Sequence, residues 1–293
     1  MSEPDELFTL KNQFWVGNYR NAIQEATVLS HVSEATKLDR DIYVYRAQLG
    51  LRNYAAVLSA IPDGTSSISL NAIKLYATYL NGGDAEITLL TLREWLGSNS
   101  SENPHLLLVA GLIFMQEHKY TDALSAFLKG KTLEHTMYAV LIYLKMDRVD
   151  VAEKTVADMK RIDEDATCTQ LALSWTLVAK GGSSCDEATL HFQELGDRFG
   201  TSPLLLNGSA AAFMGLLNFA EADRLLTEAV AKDPSFEDTY INLIAVAQHL
   251  KKDQATIQQY LAQLQLIAPA NPWLEAYSRL NSGFDRLAAT YAI

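Results

Sequence analysis

The chain has 293 residues, of which 48% are apolar and 20% charged, and its formal net charge is −11. That balance supports a large buried core and excludes a disordered chain. The acidity, with Lys and Arg not clustered overall and the run Lys251-Lys252 followed at once by Asp253, argues against direct binding to nucleic acid or to an anionic membrane.

The start, Met1 to Glu6, is acidic and lacks a basic segment followed by an apolar run, so no signal peptide is predicted. Residues 1–98 read as irregular helical hairpins. Gly17-Asn18-Tyr19 with Ala22 and Ala26 is a turn into a second helix. Arg52-Asn53-Tyr54 with Val57 and Ile61 repeats it, and Ile61-Pro62-Asp63-Gly64 ends that helix. A third hairpin spans Ser69 to Leu96, broken at Gly82-Gly83-Asp84. Gly97-Ser98-Asn99-Ser100-Ser101 is a candidate softer joint. Two glycosylation-type triplets, Asn99-Ser100-Ser101 and Asn207-Gly208-Ser209, read as ordinary polar residues.

Residues 103–269 carry the regular repeats. Leu107, Ala110, Gly111 and Phe114, then Ala123 and Phe127, place small residues among large ones on two successive helices. Thr136, Ala139 and Tyr143 with Ala152 and Val156 follow the same plan, and so do Ala172, Trp175 and Ala179 with Ala188 and Phe192. Leu206, Ala210 and Phe213 with Ala222 and Leu226 repeat it again, and Tyr240, Leu243 and Ala247 with Thr256 and Tyr260 more loosely. The second-helix anchors Ala123, Ala152, Ala188, Ala222 and Thr256 are 29, 36, 34 and 34 residues apart, scattered about the ~34-residue tetratricopeptide period. Asn103-Pro104, Ser202-Pro203 and Asn271-Pro272 each set a capping residue before a first-turn proline. The run Asp163-Glu164-Asp165 fails as a calcium loop and reads as a cap for the following helix. Residues 271–292 form a last helix with Trp273, Tyr277, Leu280, Phe284, Leu287 and Tyr291 on one stripe, placed to cover the open end of the array. The predicted fold is therefore all-α over 1–293: a tetratricopeptide-like solenoid of helical hairpins, a right-handed superhelix with a C-terminal capping helix.

No catalytic, cofactor or metal motif is present. The six histidines match no zinc spacing, and Cys168 and Cys185 lie outside any CxxC pair, as suits reduced thiols in a cytosolic setting. The longest apolar stretch, Leu106 to Met115, is about half the ~20 residues of a membrane-spanning helix, so no membrane insertion is expected. In a tetratricopeptide frame the inward positions hold Leu108, Leu112 and Met115, then Met137, Leu141 and Leu144, then Leu173 and Leu177. Near the N-terminus they hold Leu7, Phe14 and Ile42, with Trp15 adjacent. These helices are apolar nearly all round. Either these residues are ordinary core, or they line a concave groove that clasps a protein segment. A clamp for acidic peptide tails, as in a co-chaperone or adaptor, would need cations there. Only Arg46, Lys145 and Lys180 supply them.

The chain also resembles the epsilon-subunit family of the COPI coatomer. The resemblance is carried by Asp5-Glu6-Leu7-Phe8, Lys11-Asn12, Phe14, Gly17 and Tyr19, then by Arg40-Asp41 and Tyr45-Arg46-Ala47. Asp163-Glu164-Asp165-Ala166-Thr167, Thr169-Gln170-Leu171-Ala172 and Trp175 follow. Leu204-Leu205-Leu206-Asn207-Gly208, Asn242-Leu243-Ile244, Gln248-His249-Leu250, Phe284-Asp285-Arg286-Leu287 and Tyr291-Ala292 complete it. It implies a superhelix bound to the C-terminal part of the alpha subunit of coatomer, a role in coat assembly for Golgi-to-endoplasmic-reticulum traffic, no cofactor and no catalysis.

Overall fold

The computed structural model describes residues 5–29, 33–97 and 102–291. Positions 98–101 of the suggested joint, and with them the first glycosylation-type triplet, lie outside the described residues. Seventeen helices and no strand occur among the described residues. Sixteen form eight hairpins: α1 (Phe8–Trp15) with α2 (Tyr19–Val28), α3 (Glu34–Gly50) with α4 (Tyr54–Ala60), α5 (Ile68–Leu80) with α6 (Ala85–Leu96), and α7 (Pro104–Gln116) with α8 (Tyr120–Lys129). Then come α9 (Leu133–Lys145) with α10 (Val149–Ile162), α11 (Thr167–Lys180) with α12 (Ser184–Phe199), α13 (Pro203–Gly215) with α14 (Phe219–Lys232), and α15 (Glu237–His249) with α16 (Gln254–Ile267). The last helix is α17 (Pro272–Tyr291). From α1 to α7 and again from α9 to α15 successive odd-numbered helices lie against one another as an inner layer, α8 joins the two runs by packing on both α7 and α9, and each even-numbered helix packs on its own hairpin partner.

The anchors explain this stacking. Ala123, Ala152, Ala188 and Ala222 have no exposed surface, and each lets its outer helix lie close against the inner layer. A side chain at Gly111 would collide with the Phe127 ring, 2.4 Å from where its Cβ would stand, so the absent side chain is what lets α8 seat that ring on α7. Thr256 is only half-buried, because α16 buries just Ile257 and Leu264. The capping residues act as expected: Asn103 accepts from the Leu106 amide, Ser202 from the Leu205 amide and Asn271 from the Trp273 amide. The acidic run does not cap α11 as expected: Asp163 accepts from the Asp165 and Ala166 amides and shapes the turn before the helix, whose own first-turn amides receive no side-chain cap.

Every turn inside a hairpin contains a residue with positive φ: Gly17, Arg52, Gly82, His118, Asp147, Gly181 with Gly182, Leu217 and Lys251. This left-handed residue turns the chain out of the inner helix and pairs its last carbonyls. At Leu217 the φ is 61° and the side chain is 75% exposed, so the residue bears conformational strain without packing in return. Leu217→Gly is expected to raise stability by about 0.5–1 kcal/mol, after the extra freedom of glycine in the unfolded chain is subtracted. A thermal or urea melt checks this.

The end of the array departs from expectation. Only the start of α17 is packed: Leu274 is buried and Trp273 joins it in the apolar cluster of the last hairpins, with Tyr277 stacked on Trp273 at 5.0 Å between ring centroids. Leu280, Phe284, Leu287 and Tyr291 are 63–81% exposed. The last hairpin offers packing for the start of the helix, and the remainder of α17 runs beyond it with its apolar stripe in solvent.

Candidate partner-binding surface

The superhelix winds so tightly that its first helices meet its later ones across the axis. Thr167 at the start of α11 donates to Asn12 of α1 at 2.7 Å. Ser202 donates to the Val16 carbonyl, and Asn18 donates to the carbonyls of Phe199 and Gly200 at 2.9 and 3.0 Å. Arg52, in the turn after α3, reaches Glu237 at 2.5 Å and the Ile267 carbonyl at 3.0 Å. A cavity of about 300 Å³ lies along this seam, with Gly17, Asn18 and Leu51 on one side and Pro203, Leu204 and Phe236 on the other.

Within the ring, Arg46 of α3 forms a two-point ion pair with Glu134 of α9, one bond of which is 3.2 Å long. Both residues are buried. The guanidinium lies over the Phe14 ring at 4.4 Å and the Tyr43 ring at 5.1 Å, and the Tyr43 hydroxyl donates to Glu134 at 3.2 Å. Burial by itself raises the pKa of the Glu134 carboxyl, but the charge and hydrogen bonds of Arg46 outweigh it and hold it below the ordinary carboxylate value. Burial, and then the Glu134 charge, push the Tyr43 hydroxyl well above its usual range. The ion pair thus fastens α3 and α9 across the inside of the ring.

Next to it, His135 has both ring nitrogens occupied. Nδ1 lies 2.7 Å from the Thr132 hydroxyl and Nε2 lies 2.9 Å from the Pro104 carbonyl. Gly130 makes room for it, since a Cβ there would stand 2.0 Å from the imidazole. Burial holds the His135 pKa below its ordinary value, so the folded chain keeps it neutral. The unfolded chain then binds more protons below about pH 6.5, and stability contributed by His135 is present above that pH and lost as pH falls toward the folded pKa. Urea midpoints between neutral and mildly acidic pH are expected to fall for this chain and to fall less for His135→Gln.

The ring explains the inward apolar residues. Seven of the twelve are buried inside the chain: Leu7, Phe14, Ile42, Leu108, Leu112, Met137 and Leu173. Ile42 shares one apolar cluster with Leu108 and Leu112, and Phe14 is the floor beneath Arg46. Much of what stacking along the solenoid does not require is therefore covered by the chain's own first hairpins. These seven are not free surface. The other five, Trp15, Met115, Leu141, Leu144 and Leu177, are half-buried, and Leu177 lies in a groove beside Val156 and Lys160 of α10. Of the inward cations, Arg46 is paired with Glu134 and Lys180 with Glu153 at 2.8 Å. The cross-ring roles of Glu134, Asn12, Thr167 and Ser202 leave no mark in the sequence. Each is a polar residue near an ordinary helix end, with no local spacing that points to a partner so far along the chain.

Among the described residues no group of His, Cys, Asp and Glu could hold a metal ion, and no helix is long and apolar enough to cross a membrane. Both cysteines are free thiols, buried, with pKa values raised by burial first of all.

A stack of helical hairpins closed on itself, with small residues at the crossings, defines a scaffold of the tetratricopeptide type. Solved structures agree on the fold: a tetratricopeptide repeat protein from Parabacteroides merdae matches with a TM-score of 0.61 at 11% identity, over 88% of this chain and 96% of that one. A chain of the APC/C hetero-tetramer Cut9-Hcn1 also gives 0.61, at 12% identity, over 88% of this chain and 51% of that one. The sequence is more specific. The family described as Coatomer epsilon subunit matches residues 3–292. Coatomer subunit epsilon-1 of Oryza sativa subsp. japonica is 40% identical over 98% of both chains. Coatomer subunit epsilon-1 of Arabidopsis thaliana is 37% identical over 100% of this chain and 99% of its own, and coatomer subunit epsilon of Dictyostelium discoideum is 32% identical over 96% and 97%. The chain belongs to the coatomer epsilon-subunit family. It is a structural component of the heteromeric COPI coat, not an enzyme.

Proposed function

We propose that the chain binds the C-terminal region of the alpha subunit of coatomer through the concave side of its ring. In that role it supports coat assembly in Golgi-to-endoplasmic-reticulum and intra-Golgi transport, at Golgi membranes and COPI vesicles. The observation that carries this reading is full-length membership of the family together with five half-buried apolar side chains on the inner helices: Trp15, Met115, Leu141, Leu144 and Leu177. Covering such side chains contributes up to ~1.5–3 kcal/mol each before ordering costs. A carboxylate clamp of the co-chaperone kind is less well supported, because Arg46 and Lys180 already have acidic partners.

Co-expression with the C-terminal region of the alpha subunit, followed by sizing, tests the proposal. The expected result is a stoichiometric complex that survives raised salt, because an apolar contact is little affected by screening. Separate elution of the two chains would refute it.

A further inference from the structure

We infer that the outer half of α17 pairs with the same segment of a second copy of this chain, as a short antiparallel coiled coil. The stripe Trp273, Tyr277, Leu280, Phe284, Leu287, Tyr291 advances by four and three residues in strict alternation. That is the 3.5-residue period of a helix meeting another helix; a helix lying on a globular core shows a broader face. Trp273 packs into the apolar cluster of the chain's own last hairpin and Tyr277 stacks on it, while the last four are exposed. An isolated helical segment of that length has little stability in water without packing, so this half lacks the support that helices draw from neighbours.

Three features select a second copy as the occupant. The four exposed residues alternate leucine with aromatic. An antiparallel pairing about a two-fold axis sets Leu280 against the partner's Tyr291 and Phe284 against the partner's Leu287, so every layer joins one large ring to one leucine. Such self-complementarity is what a two-fold interface demands. The flanking positions, Asn281, Gly283, Ala288 and Thr290, carry no charge, and Gly283 and Ala288 let the backbones approach closely. Finally, α17 has two acids, Glu275 and Asp285, and two arginines, Arg279 and Arg286. It is a neutral helix on a chain of charge −11, so like-charge repulsion between copies is weakest here. Four layers span about 17 Å and cover less than a standard interface, which makes the association concentration-dependent. The inference does not rest on binding to the alpha subunit.

The test is sedimentation of the full chain across a hundredfold range of concentration. The expected mass rises from 32.4 kDa toward twice that value. Phe284→Glu should weaken association by roughly tenfold or more, since the change enters the interface twice. Its melting temperature at low concentration should match the parent, because Phe284 is 70% exposed in one chain. Orientation is read by mixing Phe284→Cys and Leu287→Cys chains under oxidising conditions, where mixed disulfides should exceed those within either variant. A monomer at every concentration, association untouched by Phe284→Glu, or disulfides mainly between like variants would each overturn the inference.

Discussion

Arg46→Met is expected to destabilise the chain by about 3–5 kcal/mol, because it leaves the Glu134 carboxylate buried without its counter-charge. The loss should be recovered by a second change. In Arg46→Met with Glu134→Leu both charges are gone, and stability should return to near that of the parent, as replacement of a whole buried pair by apolar groups usually permits. The four chains form a cycle whose coupling energy reads the ion pair directly. The pair also leaves a mark on acid unfolding. The folded pKa of Glu134 is depressed, so its contribution is complete above the unfolded value of about 4.3 and disappears as pH falls through the folded value. Below about pH 4.3, the stability of the parent should drop more steeply than that of the double variant. Equal losses in Arg46→Met and the double variant would mean that the ion pair does not fasten α3 to α9.

The second large effect belongs to Ile42→Asp. Ile42 has no exposed surface and lies in one cluster with Leu108 and Leu112, so the new carboxylate would be buried among apolar side chains, and Arg46, one turn further along α3, is already committed to Glu134. The expected cost is at least about 4 kcal/mol, enough to remove a cooperative melt from a marginally stable chain. The same change at half-buried Leu144 should cost far less, because its charge can turn toward water. A mild effect at Ile42 would show that the first hairpins do not pack into the ring.

How far these features could be read in the sequence depends on the range of the contact behind them. Ala123, Ala152, Ala188 and Ala222 were legible because hairpin packing tolerates only small residues there, and the same demand returns with each repeat. The turns were less visible. Their shared requirement is a positive φ, met by glycine at Gly17 and Gly82 but by Arg52, His118, Asp147, Leu217 and Lys251 elsewhere, so no residue type repeats. The inward apolar positions were visible as a pattern, while the chain that covers them was not. Arg46 pairs across 88 residues and Val16 across 186, distances at which local spacing carries no information. The stripe on α17 was plain from its period. That the solenoid packs only its start follows from the shape of the last hairpin, which composition does not express.

The most direct test changes half-buried side chains and leaves the buried ones intact. Leu144→Asp with Leu177→Asp alters two half-buried side chains on α9 and α11, and the variant is assayed for capture of the C-terminal region of the alpha subunit of coatomer. The expected result is a folded, helical chain with a melting temperature close to the parent and with capture lost. A folded variant that captures this region as well as the parent does would contradict a concave binding face.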